Sequence, residues 1–160
     1  VSIRFGAYRR ALIILVAATA AIATAAAIWS YLSTSKFDSG SMGDYGPQKQ
    51  QDWAERLVTG LNTRDVNQVP VLRANGQLSD AQRKTVESAM PASGCHYELL
   101  AVADRGEQGR RPIPGLSTEN SAYRFDMNLN ERCSGVTRTR VLGVMSIAEM
   151  GYWEPFYFTV

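Results

Sequence analysis

The sequence predicts an α+β protein: one N-terminal transmembrane helix, then helices packed on a four-stranded antiparallel sheet. Three observations lead there. An uncharged apolar run occupies Ala11 to Leu32. Apolar residues then recur at helical spacing between Asp52 and Met90. After Gly94 the apolar period falls to two and stays there, the pattern of strands with one buried face.

Composition sets the outer limits. The chain has 160 residues, 45% hydrophobic and 20% charged, which excludes both a disordered chain and a polytopic membrane protein. Two cysteines and one histidine are too few for a Cys/His-rich zinc site or a disulfide-dense miniprotein. The net charge of +2 is unevenly spread. Arg4, Arg9 and Arg10 precede the apolar run, whereas the chain from Lys36 onward carries 14 Lys/Arg against 15 Asp/Glu. That balance argues against a nucleic-acid partner.

The 22 positions from Ala11 to Leu32 would extend roughly 33 Å as a helix, enough for a bilayer core. Trp29 and Tyr31 stand at the far end, where amphipathic rings favour the interface. The arginines before it place residues 1–10 in the cytoplasm and the remainder outside, in the cell membrane's extracytoplasmic space. The competing reading is a cleaved signal peptide, with Ala25-Ala26-Ala27 as a cleavage region. The length of the run favours an uncleaved anchor. Ala17, Ala21 and Ala25 repeat every four residues, a small-residue face on which a partner helix packs closely.

Residues 33–51 are rich in Gly, Ser, Asp and Pro without apolar period and read as a linker, ordered or not. Residues 52–160 read as the extracytoplasmic domain. Asp52 suits an N-cap with Glu55 as its capping-box partner, and Trp53, Leu57, Val58 and Leu61 form one helical face. Asn62 and Thr63 end that helix, a short turn follows, and Pro70 breaks the pattern. Ser79 or Asp80 caps a second helix that runs to Met90, before Pro91.

Cys95 to Asp104 reads as the first strand, and Arg105 to Ser117 as a long, charged, glycine-rich hairpin loop. From Ala122 to Asn130, Tyr123, Phe125, Met127 and Leu129 face one way, with Arg124, Asp126, Asn128 and Asn130 opposite. Thr137 to Met150 forms a third strand, where Gly143 marks a bend or bulge. Tyr152 to Val160 forms a fourth, with Pro155 indicating an edge. The helices are the available cover for the apolar sheet face.

Cys95 opens the first strand and Cys133 closes the second. Antiparallel pairing brings those ends together, and an extracytoplasmic thiol pair tends to oxidise. A Cys95–Cys133 disulfide is expected, against the alternative of two free thiols. His96, the lone histidine, has no companions at ligand spacing. The fourth strand is aromatic on both faces, so either the sheet is covered twice or some rings meet a partner. Trp153, Phe156 and Phe158 are the candidates for an outer partner contact.

The phrase WAERLVTGLNTRDVNQV, Trp53 to Val69, with the closing strands VLGVMSIAEM and YWEPFYFTV, resembles the NTF2-like (cystatin-like) cone fold. A single membrane helix before such a domain is similar to actinobacterial Mce-associated proteins and to accessory subunits of respiratory-chain supercomplexes. The resemblance implies a non-enzymatic accessory subunit bound to integral membrane proteins, with no cofactor and no metal. NTF2-like enzymes work through an Asp base and a Tyr or acid donor inside the cone. The nearest residues here, Asp126 and Tyr123, are three apart and face opposite ways, so no catalytic residue is assigned. The alternative function is an anchored module for an apolar ligand or lipid, its cavity lined by Tyr123, Phe125, Met127 and Met145.

Overall fold

The computed structural model describes residues 45–73 and 76–160. The expected membrane helix at 11–32, its Ala17, Ala21 and Ala25 face and residues 1–10, expected in the cytoplasm, lie outside the described residues. Among those described, no helix is long and apolar enough to cross a membrane.

The described chain runs α1 (Pro47–Asn62), a 3-10 turn (Val66–Gln68), α2 (Asp80–Ala89), β1 (His96–Arg111), β2 (Asn120–Cys133), β3 (Val136–Glu149) and β4 (Tyr152–Thr159). The strands form one antiparallel sheet in the order β1-β2-β3-β4. The α+β class, the two helices and the four consecutive strands are therefore as expected.

α1 begins earlier than its sequence suggested. Pro47 opens the helix after Gly46, because proline's fixed φ suits a first turn whose N–H needs no helical partner. Gln48 Nε2 donates to Asp52 Oδ1 at 3.0 Å and Gln51 Nε2 to Glu55 Oε1 at 2.9 Å. Asp52 thus sits inside the helix instead of capping it, and the expected boundary after residue 51 falls within α1. Ser79 does cap α2, accepting from Gln82 N–H at 3.1 Å.

The main core lies between the helices and one sheet face. Ala54, Leu57, Val58 and Leu61 of α1 and Val86 of α2 meet Phe125, Met127, Leu129, Leu142, Val144 and Phe158. α1 packs on β1 and α2 on β4. A smaller cluster covers the other face at the β4 end, where Met145, Ile147, Phe156 and Tyr157 pack with Ile113, Leu116 and Leu72.

The stretch Arg105–Arg111, expected as a loop, is the second half of β1; only residues 112–119 connect it to β2. The pairing shifts register at Leu99/Ala101, Asp104/Gly106 and Glu107/Gly109. Gly106 and Gly109 take φ of 74° and 68°, so the glycines serve bulges in the strand. Charged residues are tolerated there because an edge strand reaches water. Gly143, expected to bend β3, pairs regularly with both Asp126 and Thr159; its role is close approach, described below.

Both sheet edges are covered by hydrogen bonds from the helical segment, through side chains on β1 and through one backbone and one side-chain group on β4. On β1, Asn62 Oδ1 accepts from Tyr97 N–H at 2.7 Å while Asn62 Nδ2 donates to Tyr97 O at 2.9 Å. On β4, Leu72 N–H donates to Pro155 O at 2.8 Å and Gln82 Nε2 to Phe156 O at 2.8 Å. Such covers blunt a template for pairing with another chain.

Candidate functional site

Three places in the domain bring polar or exposed apolar groups together. The first is an aromatic cluster beneath the start of α1. Tyr45 is buried, with ring centroids 5.1 Å from Tyr123, 6.0 Å from Phe125 and 6.5 Å from Trp153. Its hydroxyl shares a 2.6 Å hydrogen bond with Ser146 Oγ, and its carbonyl accepts from Gln50 Nε2 at 2.6 Å. Burial raises the Tyr45 phenol well above its usual range. Tyr123 donates to Asp104 Oδ2 at 3.0 Å. Burial, then that carboxylate, push its pKa up to about 12. At neutral pH both phenols are hydrogen-bonding groups and not bases.

The second lies on the face of the sheet away from the main core. Asp126 is 4% exposed. Its Oδ1 accepts from Arg124 Nε at 2.8 Å and its Oδ2 from Arg105 Nε at 2.7 Å. Burial alone would raise this carboxyl, but the hydrogen bonds and charges of Arg124 and Arg105 prevail and hold it below its ordinary value. Asp126 and Tyr123 are accordingly not brought together; each has a different partner.

The third is the turn joining β3 to β4. Met150 and Gly151 both have positive φ, 48° and 83°, the signature of a type I′ hairpin turn. Asn, Asp or Gly is favoured at such positions, and Met is not. Met150 is 90% exposed and its neighbour Tyr152 61%.

The residues expected to meet an outer partner are placed elsewhere. Trp153, Phe156 and Phe158 are all buried within the domain. Trp153 and Phe158 join the main core and Phe156 the smaller one. The sheet is covered on both faces at β4, which resolves the two-faced aromatic pattern without a partner. The residues proposed for a ligand cavity also separate: Tyr123, Phe125 and Met127 pack on the helix side, Met145 in the opposite cluster. Four side chains on two faces of one sheet cannot line a single cavity.

Cys95 and Cys133 form the expected disulfide. His96 is exposed, with Nε2 3.9 Å from Glu98 Oε1. An open groove of about 410 Å³ runs beside α1 between Arg56, Thr59, Gln68 and Pro70. Sequence reasoning missed Tyr45, Asp104 and Met150. The Gly46-Pro47 pair just after Tyr45 and the Met150-Gly151 turn were the available signals for two of them. The Asp104 contact has no local signal, since it depends on the register of β1 against β2.

Together these features define a disulfide-bonded α+β domain in which two helices cover one face of a four-stranded antiparallel sheet. No protein-family model, curated protein or solved structure matches the chain.

Proposed function

We propose that this chain is a non-enzymatic accessory subunit of a larger membrane complex. In this reading Ala11–Leu32 anchors it in the bilayer, the small face of Ala17, Ala21 and Ala25 packs on an integral membrane partner, and the domain works outside the cytoplasm. The resemblance to NTF2-like domains of Mce-associated proteins and respiratory supercomplex subunits belongs to the same proposal. The Cys95–Cys133 disulfide supports the compartment, because such bonds persist where the surroundings are oxidising.

The observation that carries the docking role is the β3–β4 turn. A Met in left-handed backbone conformation, almost fully exposed beside an exposed Tyr152, favours neither turn stability nor solubility. It supplies an adaptable apolar tip, and Met and Tyr are each enriched at protein contacts. The outer contact is therefore assigned to Met150 and Tyr152.

Mild-detergent pulldown of the tagged full-length chain, read by mass spectrometry, tests the reading. A stoichiometric set of membrane subunits is expected. Met150→Asn relieves the turn, so it should leave the domain as stable as before or more so while reducing recovery of those subunits. Ala21→Leu should reduce it through the membrane segment. Undiminished recovery with Met150→Asn removes the turn from the contact. Recovery of the wild-type chain alone rejects the accessory role.

A further inference from the structure

The arginine–aspartate cluster spans all four strands. Along the face away from the main core, Asp126 pairs with Gly143 and Gly143 with Thr159, while the next row runs Arg124, Met145, Tyr157. Arg105 reaches the same carboxylate from β1. A buried carboxylate needs one guanidinium for charge balance. A second brings like-charge repulsion and ordering entropy for a long side chain. Here one carboxylate holds two, which leaves the group with a net charge of about +1.

The way they are held matters. Each guanidinium spends only its Nε–H on Asp126, and neither donates another hydrogen bond among the described residues. The terminal Nη groups remain on side chains that are 54% exposed for Arg105 and 38% for Arg124. Arg124 is also seated from below. A Cβ on Gly143 would come within 3.1 Å of Arg124 Nη2 and 3.2 Å of Nε, and would collide with Thr159 Oγ1. Gly143 thus gives room for the guanidinium. Thr159 Oγ1, at that same spot, is a buried hydroxyl without a hydrogen-bond partner among the described residues.

We infer that Arg105 and Arg124, oriented by Asp126 and Gly143, form a binding site for a phosphate group, either free phosphate or the phosphodiester of a lipid headgroup. Guanidinium donors in fixed orientation match the oxygens of a phosphate better than a point charge does. The bound anion neutralises the excess charge and takes the Nη donors. This site is distinct from the β3–β4 turn, so either assignment can fail without the other.

The test uses the full-length chain in mild detergent at low ionic strength. Inorganic phosphate is titrated calorimetrically against chloride of equal ionic strength. Binding with a Kd on the order of millimolar is expected. Arg105→Gln and Arg124→Gln should each weaken it about tenfold or more. Arg132→Gln, which removes a guanidinium bonded to Glu98 at 2.6 Å elsewhere on the sheet, should bind as the wild type does. Arg105 is half exposed, so its variant remains informative if Arg124→Gln fails to fold. Competition by phosphatidylglycerol vesicles but not phosphatidylcholine vesicles assigns the site to anionic headgroups; phosphate binding indifferent to both assigns it to free phosphate. Absence of binding to phosphate and to both vesicles, or binding unchanged in the glutamine variants, overturns the proposal.

Discussion

The Tyr45 hydroxyl and the Ser146 Oγ lie 2.6 Å apart, buried, across 101 residues of chain. This bond ties the segment entering the domain to the middle of the sheet. Ser146 is a fully buried polar residue next to the apolar Val144 and Phe125 rows, and Tyr45 is what makes its burial tolerable.

Tyr45→Phe keeps the ring and deletes the hydroxyl. It strands the Ser146 hydroxyl, and the domain should lose about 1–3 kcal/mol. Adding Ser146→Ala to that variant should recover much of the loss, because both partners are then apolar. Urea melts of the two single variants and the double variant measure the coupling; additive losses would show that the bond contributes nothing of its own.

Gly60 offers a case where helix propensity and packing disagree. Gly60 lies in the last turn of α1, and replacing a helical glycine by alanine ordinarily stabilises, by up to roughly 0.5–1 kcal/mol in a helix interior. A Cβ on Gly60, however, would stand 2.8 Å from Gln68 O, 2.8 Å from Pro70 Cδ and 2.9 Å from Val69 Cα. Backbone and a proline ring cannot swing aside. Gly60→Ala should therefore destabilise, by about 1–3 kcal/mol, in thermal or urea unfolding. A rise in stability would mean that the chain at Val69 shifts freely.

Asp126 links pH to stability. Its folded pKa lies below the unfolded value, because Arg124 and Arg105 outweigh burial. Its contribution is complete above the ordinary carboxylate range, about 3.9. It disappears as pH falls through the lowered folded value. Asp126→Asn should cost about 1–3 kcal/mol at neutral pH, less than a fully buried pair because both arginines are partly solvated. The gap to wild type should narrow toward about pH 2. Unfolding curves at the two pH values test the sign; a gap that stays constant would show the charge to be irrelevant.

The Cys95–Cys133 bond closes a loop with a sequence separation of 38. The chain-entropy model gives about 3–4 kcal/mol for such a loop. The double Cys→Ser variant should therefore melt well below the oxidised protein, and a reductant should lower the wild-type melting temperature but leave the variant's unchanged. Equal melting temperatures for wild type with and without reductant would mean that the bond is either inaccessible or without effect.

Much of this domain can be read from local pattern. The alternation Tyr123, Phe125, Met127, Leu129 sets which face of β2 is covered, because strand side chains have a period of two. Ser79 before Asp80 and Pro91 after Met90 bracket α2 through capping chemistry. The cysteine pair followed from the same strand reading. The misread places had misleading local composition. Tyr45 and Pro47–Gln51 lie in or beside a Gly-, Ser- and Pro-rich stretch and looked like tether, yet one aromatic ring and one proline suffice to start the domain there. RGEQGRR looked like a loop because glycine and charge usually mean one, but an edge strand can accommodate both at bulges.

Class, element order, the covered face of the sheet and the disulfide were thus determined by the sequence itself, since each depends on period, caps or the ends of neighbouring strands. The tertiary structure decided the rest: that Trp153, Phe156 and Phe158 are buried on two faces, that Tyr123 meets Asp104, and that two arginines converge on one carboxylate over Gly143. Those outcomes depend on bulges in β1 and in the β3–β4 pairing and on where the β1–β2 connection folds over the sheet. A one-residue shift of register changes every cross-strand neighbour, and no local pattern in a single strand records it.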